Sequence, residues 1–268
     1  MKHILIILFL INFSVNSFAQ NAVKVEYNYH YYNRSGKEIN KPMILTVSHE
    51  KSKFYNPDTS RIDSMCNTPE GKAQVEAYNN SIPHPFENLS KLITRGIKMY
   101  VGKNRTDNVM KEYDTVAGED RYFYTEPLGE MAWEISDSTL NGLVYECMMA
   151  ETDYHVRHWN VWFSPEIPIS DGPWKLHGLP GLILKANDIV GQYEFTATGI
   201  ENYDKEIDPV YELNLYEKID RKELLRTKLL IDGNMAGYIS AQTGTNYPQN
   251  MKSLQIKKEF DYLETDYR

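Results

Sequence analysis

The segment Trp159–Asp188, WNVWFSPEIPISDGPWKLHGLPGLILKAND, decides the fold because it joins two apolar strands through residues that break strand pairing. Its first residues are aromatic on both faces of one strand, which is typical of a strand buried on both sides. Pro165 and Pro168 then remove two backbone donors, so the chain stays extended but cannot occupy the centre of a ladder. Pro180 and Gly181 suit the two central positions of a type II turn, and the aliphatic run after them predicts a new strand.

The same block carries a family resemblance. The stretch PEIPISDGPWKLHGLPGLIL closely resembles the signature of the GLPGLI family (Porph_ging-type) of exported bacterial proteins. The preceding YECMMA and VWFSPEIP are similar to that family's cysteine strand followed by an aromatic strand, so the likeness spans Tyr145–Phe195. It implies a cell-envelope protein of a two-membrane bacterium, associated with TonB-dependent receptors and without a defined activity. More distantly, the expected sheet resembles the half-barrel of periplasmic lipoprotein carriers.

The N-terminus predicts a secretion signal over residues 1–19. A positive start is followed by the apolar run Ile4–Ile11, which is too short to span a bilayer. Small residues at Ser17 and Ala19 predict cleavage before Gln20. We therefore expect an exported protein, in the periplasm or on the outer-membrane surface, with one domain over residues 20–268. No later segment has enough uninterrupted apolar residues for a transmembrane helix.

Composition narrows the classes of function. The chain of 268 residues has a formal net charge of −8, which argues against a nucleic-acid binder because phosphate contacts need a basic face. Its 20 tyrosines favour β structure, since tyrosine suits a half-exposed pleated surface. Cys66 and Cys147 could pair in an oxidising compartment or remain reduced, and sequence does not decide between the two.

Hydrophobic periodicity predicts an α+β domain built on a large curved antiparallel sheet. Residues 23–32 alternate between apolar and polar, and closely spaced turn signals up to residue 163 indicate a meander. Thr68 caps a predicted helix at 69–78, a second helical stripe follows at 86–94, and Asp220 caps a helix at 221–231. We expect about nine to twelve strands, closing halfway into a barrel. The helices near 69–94 and 221–231 are expected to cover its concave face.

One predicted hairpin brings together possible metal ligands. If residues 151–154 form a four-residue turn, Cys147 lies opposite His158, with Met149 on the same side. Thiol, thioether and imidazole ligands suit copper(I), although packed core sulfur beside a satisfied histidine explains the same residues. A nucleophilic Cys147–His158 pair would also need an orienting group and an oxyanion site.

Aromatic residues supply the other candidate site. Trp174 stands among prolines and glycines, and large aromatics in loops often cover pockets or partners. We therefore assign ligand or partner binding to Trp174, Trp162 and Trp159 with the turn at Pro180 and Gly181; a rigid turn that fills the core is the alternative. Without a catalytic motif or a required cofactor, the sequence predicts a non-enzymatic binding or carrier protein for an apolar ligand or an outer-membrane receptor. A copper-handling accessory to a TonB-dependent receptor and a hydrolase with an unrecognised site remain alternatives.

Overall fold

The computed structural model describes residues 22–33, 35–83, 92–116, 120–211, 213–234, 237–238, 240–241 and 262–267. The predicted signal peptide, residues 1–19, lies outside the described residues, as does most of the predicted helical stripe at 86–94. Residues 92–94 of that stripe are described and are not helical.

Among the described residues, twelve strands form one sheet, accompanied by three helices. The strands are β1 (Ala22–Tyr32), β2 (Glu38–Val47), β3 (Lys51–Tyr55), β4 (Tyr100–Asn104), β5 (Val109–Val116), β6 (Asp120–Pro127), β7 (Glu134–Gly142), β8 (Tyr145–Tyr154), β9 (Arg157–Ser164), β10 (Leu182–Asp188), β11 (Tyr193–Tyr203) and β12 (Tyr216–Lys218). The helices are α1 (Pro57–Cys66), α2 (Pro69–Ser81) and α3 (Arg221–Gly233).

The strand order is β12-β6-β5-β4-β3-β2-β1-β11-β10-β9-β8-β7, and only the short β12 pairs in parallel with its neighbour. The predicted large antiparallel sheet is therefore confirmed. No described helix is long and apolar enough to cross a membrane.

The sheet curves around the connection between β9 and β10, residues 165–181, which we call the plug. The ring of Trp174 lies 5.7 Å, centroid to centroid, from that of Tyr154 at the end of β8. The next residue, Lys175, places its Nζ 2.9 Å from Glu126 Oε2 on β6. Strands β8 and β6 are nine positions apart in the sheet, a span of about 43 Å if the sheet were flat. Two adjacent residues reach both strands, so the sheet folds back on itself with the plug on its inner face.

The inner face forms the main core. On β1, Val23, Val25, Tyr27 and Tyr29 are buried as the alternation predicts, and they join apolar residues of the plug. Tyr27 Oη donates a hydrogen bond of 2.6 Å to the carbonyl of Ile183, which ties the centre of the sheet to β10. Burial of one alternating stripe from each strand is what fixes the register of the sheet.

The predicted type II turn at Pro180 and Gly181 is wrong. The positive φ of this corner, +96°, belongs to Gly178, and Gly181 is outside the left-handed region. Gly181 is required for a different reason, because a Cβ there would lie 2.2 Å from the backbone oxygen of Ser164. At its end, the plug thus packs its backbone at Gly181 closely against the backbone of Ser164, the last residue of β9.

The helices lie on both faces of the sheet. Both predicted caps are confirmed, since Thr68 accepts a hydrogen bond from the first turn of α2 and Asp220 accepts two from that of α3. Helix α3 packs Leu224 onto the inner face at β5 and β6, as predicted. In contrast, Asp63 of α1 accepts a 2.5 Å hydrogen bond from Tyr100, which alternates with inner-face residues on β4. Helix α1, with α2 packed on it, is therefore on the outer face, and the predicted concave position is wrong for α2, the helix that the structure describes in the 69–94 region.

The hairpin of β8 and β9 turns at His155 and Val156, not at residues 151–154 as predicted. Both residues have positive φ, +49° and +65°, which matches a two-residue type I′ turn. Asn-Gly or Asp-Gly favours such a turn, whereas histidine followed by valine gives no local signal for it. The register is therefore shifted from the predicted one, and Asp153 lies opposite His158.

Candidate functional site

The corrected register separates the predicted copper ligands. Cys147 is buried in the main core, whereas His158 lies near the turn with its Nδ1 2.9 Å from Asp153 Oδ1. Met149 pairs with Trp162, four strand positions from the pair made by His158, which is about 13 Å. The predicted convergence of Cys147, Met149 and His158 is therefore wrong. Nor are the two cysteines of the chain joined in a disulfide.

The predicted tryptophans do not share one open surface. Trp159 and Trp174 are 0% and 1% exposed, and their ring centroids are 5.6 Å apart in the core. Trp162 points to the other face of β9, where the Nζ of Lys185 lies 5.4 Å from its ring centroid. Pro180 is exposed and next to the buried Gly181. Of the predicted set, only Trp174 lines the inner cavity described below.

Lys175 of the plug is the centre of a buried ionic cluster. Its fully buried Nζ donates to Tyr124 Oη at 2.8 Å and to Glu126 Oε2 at 2.9 Å, both on β6. It also contacts Glu264 Oε1 and lies 3.4 Å from Glu112 Oε2 on β5. Tyr124 extends the network, because its hydroxyl donates a 2.8 Å hydrogen bond to Glu112. One plug residue therefore connects two strands to the C-terminal residues.

Arg221, at the start of α3, is the second cation of the cluster. It bonds Glu264 and Asp266 at 2.5 Å each, and its Nε lies 2.9 Å from Glu126 Oε1. His155 joins through Nδ1, 3.2 Å from Asp266 Oδ2, while its buried Nε2 has no hydrogen-bond partner. Residues 262–267, which we call the strap, are thus attached to the turn of the β8–β9 hairpin and to α3.

Negative charge exceeds positive charge in this cluster. Burial raises the pKa of Glu112 above its usual range, although Lys175 opposes that shift. Burial also opposes ionisation of Glu264, but Lys175, His155 and Arg221 outweigh it, so the pKa of Glu264 lies below its usual range. Hydrogen bonds from Arg221 lower the pKa of Asp266. Burial therefore works against the charged form of Glu112, whereas the cations favour the charged forms of Glu264 and Asp266.

Three ligand-type side chains of the cluster lie close enough together to suggest a metal site. Ligand atoms of Glu126, His155 and Glu264 are all within 4.8 Å of one another. The ammonium group of Lys175, however, bonds both carboxylates and takes the position between them. The Lys175 ammonium group therefore takes the place that a metal ion would occupy between these ligands.

Two further charged residues, Asp171 of the plug and Arg157 of β9, are also buried in ion pairs. Asp171 accepts from Lys103 Nζ at 2.5 Å and from Arg105, both at or after the end of β4. Burial opposes the ionisation of Asp171, but the two cations outweigh it and lower its pKa. Arg157 pairs with Asp188 and donates to the carbonyl of Tyr262 in the strap at 2.6 Å. These polar residues hold the plug, the sheet and the strap together.

A cavity of about 230 Å³ lies between the inner face of the sheet and a cover made by α3 and the strap. We call it the inner cavity. Leu225 of α3 and Leu263 of the strap form part of the cover. Aromatic rings make up much of the remaining wall, namely Tyr29, Tyr31, Trp174, Tyr193 and Tyr262. Charged groups occur at Glu112, Asp114, Lys228 and Glu264. The α3 part of this cover was predicted from the sequence, whereas the strap was not, because it is short and polar.

A larger groove of about 850 Å³ lies outside, at the tips of the hairpins. Val156 of one turn and Ile189 and Val190 of another are 78%, 67% and 73% exposed beside it. Its floor includes Arg157 and Asp188, which are already paired with each other. Both the groove and the inner cavity are partly open, but the inner cavity is lined by residues from more distant parts of the chain.

In comparisons with known proteins, part of the chain matches one family model, and the fold resembles a few solved structures weakly. A search of curated proteins found no match. Two crystal forms of PNGF-II resemble the fold at 16% identity, with TM-scores of 0.49 and 0.48. They cover 78% and 79% of this chain, which spans only about a third of the PNGF-II chains, 33% and 32%.

An outer-membrane lipoprotein-sorting protein domain from Vibrio parahaemolyticus has 6% identity and a TM-score of 0.24, covering 73% of this chain and 91% of its own. At these scores, neither likeness carries an argument about activity. Residues 149–185, which include the plug, match the family model described as Protein of unknown function (Porph_ging). The resemblance seen in the sequence is thereby confirmed over residues 149–185, the segment that matches this family model.

Proposed function

We propose that this protein is a non-enzymatic binding or carrier protein of the cell envelope that holds an apolar or amphipathic ligand in the inner cavity. The observation that carries the proposal is an aromatic wall that faces a cover made by α3 and the strap. Ligand sites are concave and mostly apolar, with a few polar groups that fix orientation, and the inner cavity has that composition.

The wall is rigid where it faces the cavity. The ring of Tyr29 stacks on Phe195 at 4.5 Å and on Tyr31 at 4.8 Å, centroid to centroid. Trp174 is fixed between Trp159 and Tyr154. A preformed wall reduces the conformational entropy that binding would otherwise cost.

The cover is less firmly packed than the wall. Helix α3 packs through Leu224 and Ile231 into a small cluster that is separate from the main core. The strap is attached largely by ionic contacts of Glu264 and Asp266. Segments with few buried apolar contacts open at lower free energy than the core. We propose that displacement of this cover admits the ligand, since about 230 Å³ is below the usual size of a ligand site.

The location and the domain plan belong to the same proposal. A signal peptide at residues 1–19 and one exported domain at 20–268 would place the carrier in the periplasm or on the outer-membrane surface. An outer-membrane receptor is the proposed partner. Residues 149–185, which match the family model, would have a structural role, because they include the plug residues that hold the cavity wall in place.

The two alternatives have less support. Copper handling was predicted from Cys147, Met149 and His158, and hydrolysis from Cys147 beside His158. In the observed register His158 lies by Asp153 and away from the core position of Cys147. Copper binding thus remains an untested prediction without a supporting geometry.

The test is binding of a neutral apolar dye, N-phenyl-1-naphthylamine, to the mature protein. We expect saturable binding that falls at least about tenfold in Leu225→Trp, because the larger side chain fills the cavity. Leu230→Trp is the matched control, since Leu230 is on the same helix and 74% exposed. Leu263→Trp tests the cavity independently if Leu225→Trp does not fold. Absence of saturable binding, or equal binding by both α3 variants, would contradict the proposal.

A further inference from the structure

We infer that the ligand of the inner cavity is an organic cation, with an ammonium group attached to an apolar body. This inference rests on the proposed function. The charges and rings that line the cavity select for a positive head group and against a negative one.

The first observation is charge. Three carboxylates line the cavity, on Glu112, Asp114 and Glu264, against one cation, Lys228. Lys228 is already bonded to Asp114. Among the described residues, the cluster contains five carboxylates, of which Glu126 and Asp266 are only partly buried, against the three cations Lys175, Arg221 and Lys228. Buried charges are tolerated when they are paired, so a ligand cation would complete the set.

The second observation is the aromatic wall. The faces of aromatic rings carry negative potential and attract cations, which is how quaternary ammonium groups are recognised. Protein cations already lie over three of these rings. Arg157 Cζ is 4.8 Å from the Tyr193 centroid, Lys175 Nζ is 5.7 Å from that of Trp174, and Lys228 Nζ is 5.7 Å from that of Tyr262. An anionic head group would instead meet three carboxylates.

The third observation is the position of Glu112. Of the three carboxylates that contact Lys175 it is the farthest, at 3.4 Å, and its other close contact is the hydroxyl of Tyr124. The charged and titratable groups that face it come from every packed element, namely Asp114 of β5, Tyr124 of β6, Lys175 of the plug, Lys228 of α3 and Glu264 of the strap. Burial raises the pKa of Glu112, and a bound ammonium ion beside it would favour its charged form.

The experiment uses isothermal titration calorimetry to compare three probes that have the same octyl group but different head groups. They are octyltrimethylammonium, octyl glucoside and octyl sulfate, each below its critical micelle concentration. We expect the cation to bind about tenfold more tightly than the neutral probe, and the anion more weakly than either.

Glu112→Gln should remove most of the cation preference, measured as the ratio of cation to neutral affinity within the same variant. Glu217→Gln, at an exposed position on β12, is the matched control for loss of one negative charge. If the neutral probe binds without any cation preference, the inference is overturned and the proposed function stands. If no probe binds, both are overturned. If Glu112→Gln does not fold, tighter binding of the anion than of the cation to the unaltered protein would still overturn the inference.

Discussion

Replacing Lys175 by methionine should strongly destabilise the fold, because it removes the cation to which two strands and the strap are bonded. Three carboxylates lie within 3.4 Å of this Nζ, and the side chain is fully buried. Loss of one partner of a buried ion pair costs about 3–5 kcal/mol, since the remaining charge is left without compensation. Arg221 still pairs with Glu126 and Glu264 in the variant. We therefore expect a loss of about 4 kcal/mol.

The assay is equilibrium unfolding in urea, together with thermal unfolding. For a domain of this size, a loss of about 4 kcal/mol corresponds to a fall in Tm of about 8–16 °C. Lys185→Met is the matched control, because Lys185 forms a half-exposed pair with Glu194 at 3.3 Å, for which about 0–1 kcal/mol is expected. Adding Glu112→Gln to Lys175→Met should recover part of the loss, since it removes one uncompensated carboxylate. A Lys175→Met variant as stable as the Lys185→Met control would refute the central role given to Lys175.

Two further predictions concern pH and the plug corner. The lowered pKa values of Glu264 and Asp266 stabilise the fold above the unfolded carboxyl values near about pH 4, and this contribution is lost as pH falls through the lower folded values. The free energy of unfolding should therefore decrease steeply in acid; a flat profile between pH 5 and pH 3 would count against the cluster. Gly181→Ala should cost about 1–3 kcal/mol, because its Cβ would meet the carbonyl of Ser164. Gly129→Ala, with no atom near the added Cβ, should stay within about 0.5 kcal/mol, and equal stabilities would reject the close contact.

Local patterns were sufficient to predict much of the sheet and two helix starts. The alternation from Val23 to Tyr29 follows directly from burial of one face, and the caps at Thr68 and Asp220 are made by neighbouring residues. Helix α1 was missed because PDTSRIDSMC has little apolar periodicity and contacts the sheet mainly through polar side chains such as Asp63.

The register of β8 and β9 could not be predicted because distant residues hold the turn. The carbonyl of His155 accepts hydrogen bonds from the backbone and side chain of Thr265, and its ring lies beside Asp266. These contacts join residues about 110 apart in sequence, so they override the weak turn preference of histidine and valine. The shift of register in turn removed the predicted copper site.

The ionic cluster had a partial signal in the sequence. Lys175 stands between Trp174 and Leu176 in a block predicted to be buried, and a buried lysine requires a charged partner. Its partners Glu126 and Glu264 are 49 and 89 residues away, so no local spacing could identify them. The inner cavity depends on the same distant contacts.

The most direct test of the inner cavity is mass spectrometry of the intact protein isolated from its native envelope under non-denaturing conditions. We predict a bound molecule in stoichiometric amount, released when the protein is denatured and absent from Leu225→Trp but retained by Leu230→Trp. Native protein without a bound molecule, or the same bound molecule in both variants, would contradict the proposal that this cavity is the binding site.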